Sequence, residues 1–377
     1  MYVRECSLRD FRSYEHVSIA LPSGVSALIG SNGQGKTNLV EAIAYAATLS
    51  SHRVATDAPL IRRGASSAAI RVLAAHDDRD VEVQIEIDST RPNKAFVNRN
   101  QVKRPRDVLG YIHTVVFAPE DLALVKGDPS DRRRFIDEAM IAMTPRLAGV
   151  RSDFDRVLKQ RNALLKTAQH AARRSAADVM QTLDAWDEQF ARLSAQLVIE
   201  RRRLVADLLP HAIAHYETVS DARGPFAMDY QCSLPEMPAS DTEEHWEDAY
   251  RAALSERRRD EIDRGITLVG PHRDELSISV RDLPVKGYAS HGESWSAALT
   301  LRLATFALFR QGSGGDPVLI LDDVFAELDT RRRRRLAEFA EQAEQTLITA
   351  AVAEDIPSGL AATRFNVHEG QVERVDG

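Results

Sequence analysis

Eight consecutive residues, Gly30-Ser31-Asn32-Gly33-Gln34-Gly35-Lys36-Thr37, fit the pattern G-x-x-x-x-G-K-[ST]. Three glycines in eight positions let the backbone turn its N–H groups inward, and a following helix N-terminus adds partial positive charge. Such a loop can hold a nucleotide β-phosphate. Lys36 would reach the β- and γ-phosphates, and the Thr37 hydroxyl would ligate Mg²⁺. A second stretch, Val318 to Asp329 (VLILDDVFAELD), runs from four apolar residues into two aspartates. That order places a carboxylate at the C-terminal end of a buried parallel strand, where ligands of α/β sheets bind. Asp322 would hold the Mg²⁺, usually through water, and Asp323 stands where a general base would orient the attacking water.

These residues need elements to position them, and the flanking patterns supply candidates. Val25 to Ile29 reads as a short apolar strand, and Asn38 to Leu49 as a helix with apolar residues at Leu39, Ile43, Ala46 and Ala47. Upstream, residues 1 to 21 read as a hairpin. Downstream, Ala69 to Ala75, Val81 to Ile87 and Lys94 to Asn98 read as strands, with a turn at Asp77 to Asp80. They predict an antiparallel layer attached to the nucleotide-binding layer. Thr114 to Phe117 is a buried-strand candidate that Pro119 ends.

A helical region from about Asp131 to Ala214 follows. Val179, Leu183, Trp186, Phe190, Leu193, Leu197, Leu204 and Leu208 keep a seven-residue rhythm, with Glu200 in one slot. Val150, Phe154, Val157, Leu158, Leu164 and Leu165 offer a matching stripe, and Ser175 to Asp178 resembles a capping box between the two. The expectation is a helical hairpin of some 30 to 40 residues per helix, about 45 to 60 Å long, projecting as an arm. Further strands are expected at Phe226 to Cys232, Leu268 to Val280 and Pro317 to Leu321, and helices at Asp241 to Ile262 and Ser294 to Phe309. The predicted fold is α/β: a P-loop ATPase head with a mixed sheet and a flanking antiparallel β layer, formed by residues 1–125 and 266–377, with residues 126–265 inserted as a mainly helical arm.

Composition narrows the function. The chain has 377 residues, 44% apolar and 28% charged, enough for about two domains. No apolar run is long enough to span a membrane, and charges near the N-terminus argue against an export signal. Two cysteines, Cys6 and Cys232, lie far apart, which fits a reducing cytoplasm. A net charge of −7 argues against coating nucleic acid by bulk charge. Arginine clusters at 132–134, 173–174, 201–203, 257–259 and 331–335 suggest local patches instead.

A third motif, Ala289-Ser290-His291-Gly292-Glu293, resembles the Leu-Ser-Gly-Gly-Gln signature of ATP-binding-cassette ATPases and precedes the Asp-Asp strand at the spacing of that class. In such proteins the signature loop contacts the γ-phosphate held by a second subunit. Ala326-Glu327-Leu328-Asp329 corresponds to the loop that crosses the dimer seam. Leu8-Arg9-Asp10-Phe11-Arg12-Ser13-Tyr14, Phe117-Ala118-Pro119-Glu120-Asp121-Leu122, the block Arg132 to Asp137, Gly270-Pro271-His272-Arg273-Asp274, Leu321-Asp322-Asp323-Val324 and Glu327-Leu328-Asp329 extend the likeness over nearly the whole chain. Together they resemble the RecF family of bacterial recombination mediators, relatives of the SMC and double-strand-break repair ATPases.

The resemblance implies an ATP-dependent homodimer that binds single- and double-stranded DNA, prefers their junctions at gaps, and with RecR and RecO helps place RecA on the single strand. It implies ATP and Mg²⁺ as ligands and a weak, DNA-stimulated ATPase used as a switch. The nucleotide contacts expected are Gly30, Ser31, Asn32, Gly33, Gln34, Gly35, Lys36, Thr37 and Asn38 from one copy, and Ser290, Gly292, Glu293 and Asp329 from the other. Lys36 and Asp323 are expected to act in hydrolysis, and Thr37 and Asp322 on the metal. Glu293 stands where the family commonly has glutamine, and Glu120 is given no metal role. Asp323 is one methylene shorter than the glutamate usual at its place, so slow turnover is expected. The other readings are a structural ATPase of the SMC kind, which needs far longer arms, the ATP-hydrolysing subunit of a transporter, and a small-molecule P-loop kinase, which would not need residues 289–293 in this form.

Overall fold

The computed structural model of the chain describes residues 1–76, 79–170, 176–220, 224–312 and 315–375. It opens with β1 (Tyr2–Phe11) and β2 (Tyr14–Ala20), an antiparallel pair whose residues Val3, Cys6, Leu8, Val17 and Ile19 are buried on one face. β3 (Gly24–Ile29) runs through the glycine loop into α1 (Lys36–Thr48). Ten of the thirteen α1 residues are buried, so this helix is an internal layer and needs no polar face. β4 (Ser67–His76), β5 (Arg79–Asp88), β6 (Lys94–Val97) and β7 (Asn100–Gln101) complete an antiparallel sheet in the order β2-β1-β4-β5-β6-β7.

β8 (Thr114–Phe117) stops where Asp121 Oδ2 accepts the Ala118 amide at 3.0 Å, just ahead of α2 (Leu122–Lys126). Three long helices follow: α3 (Pro129–Met143), α4 (Leu147–His170) and α5 (Ala176–Val219). β9 (Phe226–Gln231), α6 (Glu243–Arg264), β10 (Glu275–Val280) and β11 (Leu283–Pro284) lead to the short α7 (Val285–Tyr288) and to α8 (His291–Gln311). The end of the chain comprises β12 (Val318–Asp322), α9 (Thr330–Ala340), β13 (Gln345–Ala350), β14 (Ala362–His368) and β15 (Gln371–Val375).

The central sheet has the order β15-β14-β3-β13-β12-β8, parallel except for β15. β12 is buried on both faces, which is why it reads as a continuous apolar run. Its Val318 and Ile320 join the core shared with α1 and the antiparallel sheet, and its Leu319 and Leu321 join the core shared with α3, α5 and α8. Two cores on opposite faces hold the strand ends in place.

The helical region departs from expectation in three ways. Thr144 caps α3 and Pro145 follows it, so the start of the region is a separate helix and the whole Val150-to-Leu165 stripe lies in α4. α4 has 24 residues and α5 has 44, so the hairpin arms are unequal, about 36 and 66 Å by helical rise. The root of α5 does not project: Phe190, Leu197, Leu204 and Leu208 lie in the same core as Trp295 and Phe306 of α8. Beyond it, fully buried Arg161 of α4 donates to Asp187 of α5 (2.7 Å), Glu261 of α6 (2.6 Å) and the Thr267 hydroxyl (2.8 Å).

Residues 268–274 are also not strand. Arg273 N–H donates to the Gly270 carbonyl (2.8 Å) in a turn that fixes the strand start at Glu275. The turn expected at Asp77 to Asp80, the capping sequence Ser175 to Asp178 and the cluster Arg173-Arg174 fall wholly or partly outside the described residues.

Candidate functional site

The phosphate loop lies at the carboxyl ends of the parallel strands, between β3 and α1. Gly35 precedes the helix at φ 113°, a left-handed conformation, and a Cβ there would come within 2.7 Å of the Tyr14 hydroxyl. At Gly30 a Cβ would meet the Val367 carbonyl of β14. The backbone cradle therefore exists only with glycine at both ends. Lys36 is buried, and its ammonium donates to the carbonyls of Gly30 (2.7 Å) and Ser31 (3.4 Å). Ser31, Asn32 and Gly33 face solvent, and Gln34 Oε1 accepts the Glu369 amide (2.6 Å). Asn38 donates to Ser13 (2.9 Å) and accepts from Arg53 (3.0 Å), so it is held from two sides.

Two strands away, across β13, β12 delivers Asp322, which is buried. Its Oδ1 accepts from the Thr37 hydroxyl at 2.9 Å and from the Thr349 hydroxyl of β13 at 2.6 Å. His52 Nε2 lies 3.7 Å from Oδ2, an ion-pair separation longer than a hydrogen bond. Burial works against ionisation of Asp322, but the His52 imidazole and the two hydroxyls outweigh it, and its pKa falls below the ordinary carboxylate value. Asp323 behaves in the opposite way. Burial raises its pKa, and the neighbouring Asp322 adds to the rise against the pull of Lys36. Its backbone sits at φ 53° with its amide donating to Thr349 Oγ1 (2.9 Å). Two adjacent carboxylates with pKa values pushed apart can divide into a metal ligand and a proton acceptor.

Among the described residues no three His, Cys, Asp or Glu side chains converge as a metal cage. The Thr37–Asp322 pair suits Mg²⁺, which keeps several waters and takes its remaining oxygens from phosphates.

The signature residues are positioned by helix caps. Ser290 is the N-cap of α8, its Oγ accepting the Glu293 amide (3.3 Å) while Glu293 Oε2 accepts the Ser290 amide (2.9 Å). Glu293 also pairs with Arg281, and the Ser290 amide and that guanidinium keep its pKa low. Asp329 caps α9, accepting the amides of Arg331 (3.1 Å) and Arg332 (3.0 Å) and pairing with the Arg332 side chain. Arg332 also donates to Ser296 of α8 (2.9 Å) and lies against Gly292, so the two caps form one unit. Among the described residues this unit makes no hydrogen bond to the phosphate loop of its own chain.

Residues 2–369 match the model of the RecF/RecN/SMC N terminal domain. The DNA replication and repair protein RecF of Streptomyces avermitilis is 55% identical over 380 residues, covering all of both chains. That of Frankia alni is 53% identical over 378 residues, covering 99% of this chain and all of the relative. The chain belongs to the RecF family. A solved RecF, described as the recombination mediator RecF-ATPrS in the RecFOR pathway, superposes with a TM-score of 0.90 at 25% identity, covering 100% of this chain and 98% of that one. The Smc head domain of Pyrococcus furiosus superposes at 0.54 with 15% identity, covering 99% and 96%, and shares the fold alone. The RecF fold here is thus the α/β ATPase head of the SMC type, with a helical insertion.

Within this RecF-family chain the fold brings Lys36, Thr37, Asp322 and Asp323 together, and among the described residues no hydrogen bond joins Ser290, Gly292, Glu293 or Asp329 to them. Four residues beside the loop were not singled out from the sequence: Tyr14 beneath Gly35, Arg53 on Asn38, His52, and Thr349. Thr349 and His52 carry no motif of their own. The opening run Leu8 to Tyr14, by contrast, could have pointed to Tyr14. Its Arg12 makes a bidentate pair with buried Glu41 of α1 (2.9 and 2.6 Å), seating the hairpin under the loop.

Proposed function

We propose that this RecF-family chain is an ATP-dependent DNA-binding protein of recombinational repair and replication-fork maintenance. It dimerises on ATP and binds single-stranded and duplex DNA at gaps. With RecO and RecR it promotes RecA loading, and slow hydrolysis resets it. The observation that carries this reading is the division of the site. The phosphate loop and the Thr37–Asp322 pair stand at the carboxyl end of the sheet, while among the described residues Ser290 and Asp329, the caps joined through Arg332, make no hydrogen bond to them. A second copy completes the site. RecF relatives named for DNA replication and repair, and a solved RecF described with ATP, support it.

The residues divide the work as follows. Lys36 gives up the Gly30 carbonyl for the β- and γ-phosphates, and the backbone amides from Gly30 to Asn38 line the phosphates. Thr37 and Asp322 would hold Mg²⁺, which when bound would neutralise phosphate charge. Asp323 orients the attacking water and takes its proton. From the partner, the Ser290 hydroxyl and the α8 N-terminus meet the γ-phosphate, with Gly292 allowing close approach and Asp329 at the seam. Glu293 acts through Ser290, since both its oxygens are engaged in the cap and with Arg281.

Light scattering with and without ATP tests the reading in wild type, Lys36→Arg and Ser290→Arg. Conversion of monomer to dimer in wild type alone is the expected result. If all three stay monomeric with ATP bound, the two-chain site is wrong.

A further inference from the structure

Between Ser89 and Arg106 the chain carries six basic residues and no acidic one, although the whole protein has a net charge of −7. None of the arginine clusters expected to form patches includes this stretch. The structure gathers it at the outer edge of the antiparallel sheet. β6 and β7 pair with Phe96 opposite Gln101 and Val97 opposite Asn100, and the Val102 amide donates to the Ala95 carbonyl (3.0 Å). One step further along that register, Lys94 and Lys103 face each other across the ladder. Both are exposed. Like charges directly opposite are destabilising without a counter-charge.

The acidic groups nearby cover the strip only in part. Glu86 stands opposite Lys94 on β5. Glu82 lies 3.8 Å from Arg99 but is already held by Arg71 (2.8 Å). Asp107 pairs with Arg104 (3.2 Å), and Asp88 accepts the amides of Thr90 and Arg91. Among the described residues, Arg91, Lys94 and Lys103 have no ion pair within 4.0 Å.

The turn between the strands adds a second observation. Asn98 and Arg99 have φ of 48° and 68°, the two-residue hairpin turn whose second position ordinarily goes to glycine. Arg99 occupies it at a cost in backbone strain, with its side chain 86% exposed at the tip. Asn98, Asn100 and Gln101 are exposed around it as neutral hydrogen-bonding groups.

We infer that the β6–β7 edge, from Lys94 through the Arg99 tip to Lys103 and Arg104, is a docking strip for the phosphate backbone of nucleic acid. This rests on the DNA-binding reading above. Separated cations interleaved with amide side chains fit a chain of phosphates, and no apolar side chain is free to enter a bilayer, Phe96 being half-buried. β6 rises about 10 Å from Lys94 to Val97 and the turn carries Arg99 beyond it, enough to follow neighbouring phosphates. The strip reads charge and carries no sequence preference.

The test is binding of a gapped duplex by fluorescence anisotropy with ATP present, over a salt series, for wild type, the triple variant Lys94→Gln/Arg99→Gln/Lys103→Gln, and Arg99→Gly. The triple variant should lose about 2 to 3 from the log–log salt slope, roughly 0.9 per phosphate contact, while ATP-driven dimerisation persists. Arg99→Gly relieves the turn, so its melting temperature should hold or rise while its slope falls by about 1. If wild type binds DNA and both variants match its slope and affinity, the strip is wrong and the two-chain ATP site is untouched. If wild type binds no DNA, the DNA-binding reading fails and the strip with it. Loss of binding to anionic phospholipid vesicles with DNA binding intact would overturn the choice of nucleic acid.

Discussion

At the scale of single residues, the Asp322–Asp323 pair shows how one dipeptide can hold two functions. Asp322 is held ionised by His52 and two hydroxyl donors, whereas Asp323 is pushed toward the neutral form by burial and by its neighbour. Asp323→Asn should lower ATP hydrolysis by about 10²- to 10⁴-fold with nucleotide binding retained, as read by single turnover beside equilibrium binding. Because the Asp323 pKa is raised, the base is active above it, and the acid limb of the rate profile should lie at higher pH than for an ordinary aspartate. Thr349→Val removes a donor to Asp322 and an acceptor for the Asp323 amide, so half-saturating Mg²⁺ for nucleotide binding should rise by about 10- to 100-fold. Lys36, Thr37 and both aspartates were legible because backbone geometry forces their types into short fixed spacings. Thr349 was not, since a buried threonine in a strand looks the same whether or not it holds a carboxylate.

At the scale of elements, the arginine clusters read differently once folded. Arg132 makes a bidentate pair with Glu275 (2.7 and 2.6 Å), Arg133 donates to the Asp274 carbonyl (2.8 Å), and Arg134 to the Ser51 carbonyl (2.6 Å). Arg201 is buried in a bidentate pair with Asp137 (2.7 and 2.9 Å) and donates to the Pro271 carbonyl (2.7 Å). Arg258 binds Asp187 (2.6 Å). These cations tie helices to a strand, to loops and to other helices, and sequence cannot separate such ties from a solvated patch because both place arginines on one helix face. Arg201→Ala should cost about 1.5–3 kcal/mol in thermal or denaturant unfolding, because it removes the buried bidentate partner of Asp137 and leaves that carboxylate to Arg151 alone, and should leave the DNA salt slope unchanged. The Gly270-to-Asp274 motif gives a pH signature. His272 packs against the rings of Phe154 and Phe190, and burial pushes its pKa down to about 4 from 6.5. A depressed folded-state pKa means that this stabilisation is whole above about pH 6.5 and is lost as pH falls toward 4. Melting curves of His272→Phe should lose that part of the acid dependence.

At the scale of the molecule, the α/β class, the antiparallel layer and the strand–loop–helix were readable, because hydrophobic period and glycine spacing are local signals. The unequal helices and the seating of α5 on α8 were not, since a heptad stripe does not say what covers it. The order of the central sheet has a further consequence for how the chain is made. β3, which carries the phosphate loop, lies between β13 and β14, and both are encoded more than 300 residues later. A nascent chain emerging from the ribosome therefore exposes Val25 to Ile29 with both edges unpaired until synthesis is nearly finished, a state prone to aggregation. The Val367 carbonyl that a Cβ at Gly30 would meet arrives with β14, the later of the two neighbours. Nucleotide can thus act as a check on completeness: a chain truncated before β14 should neither bind ATP nor stay soluble. In pulse-labelled translation, ATP-dependent protease protection should appear only after release of the full chain.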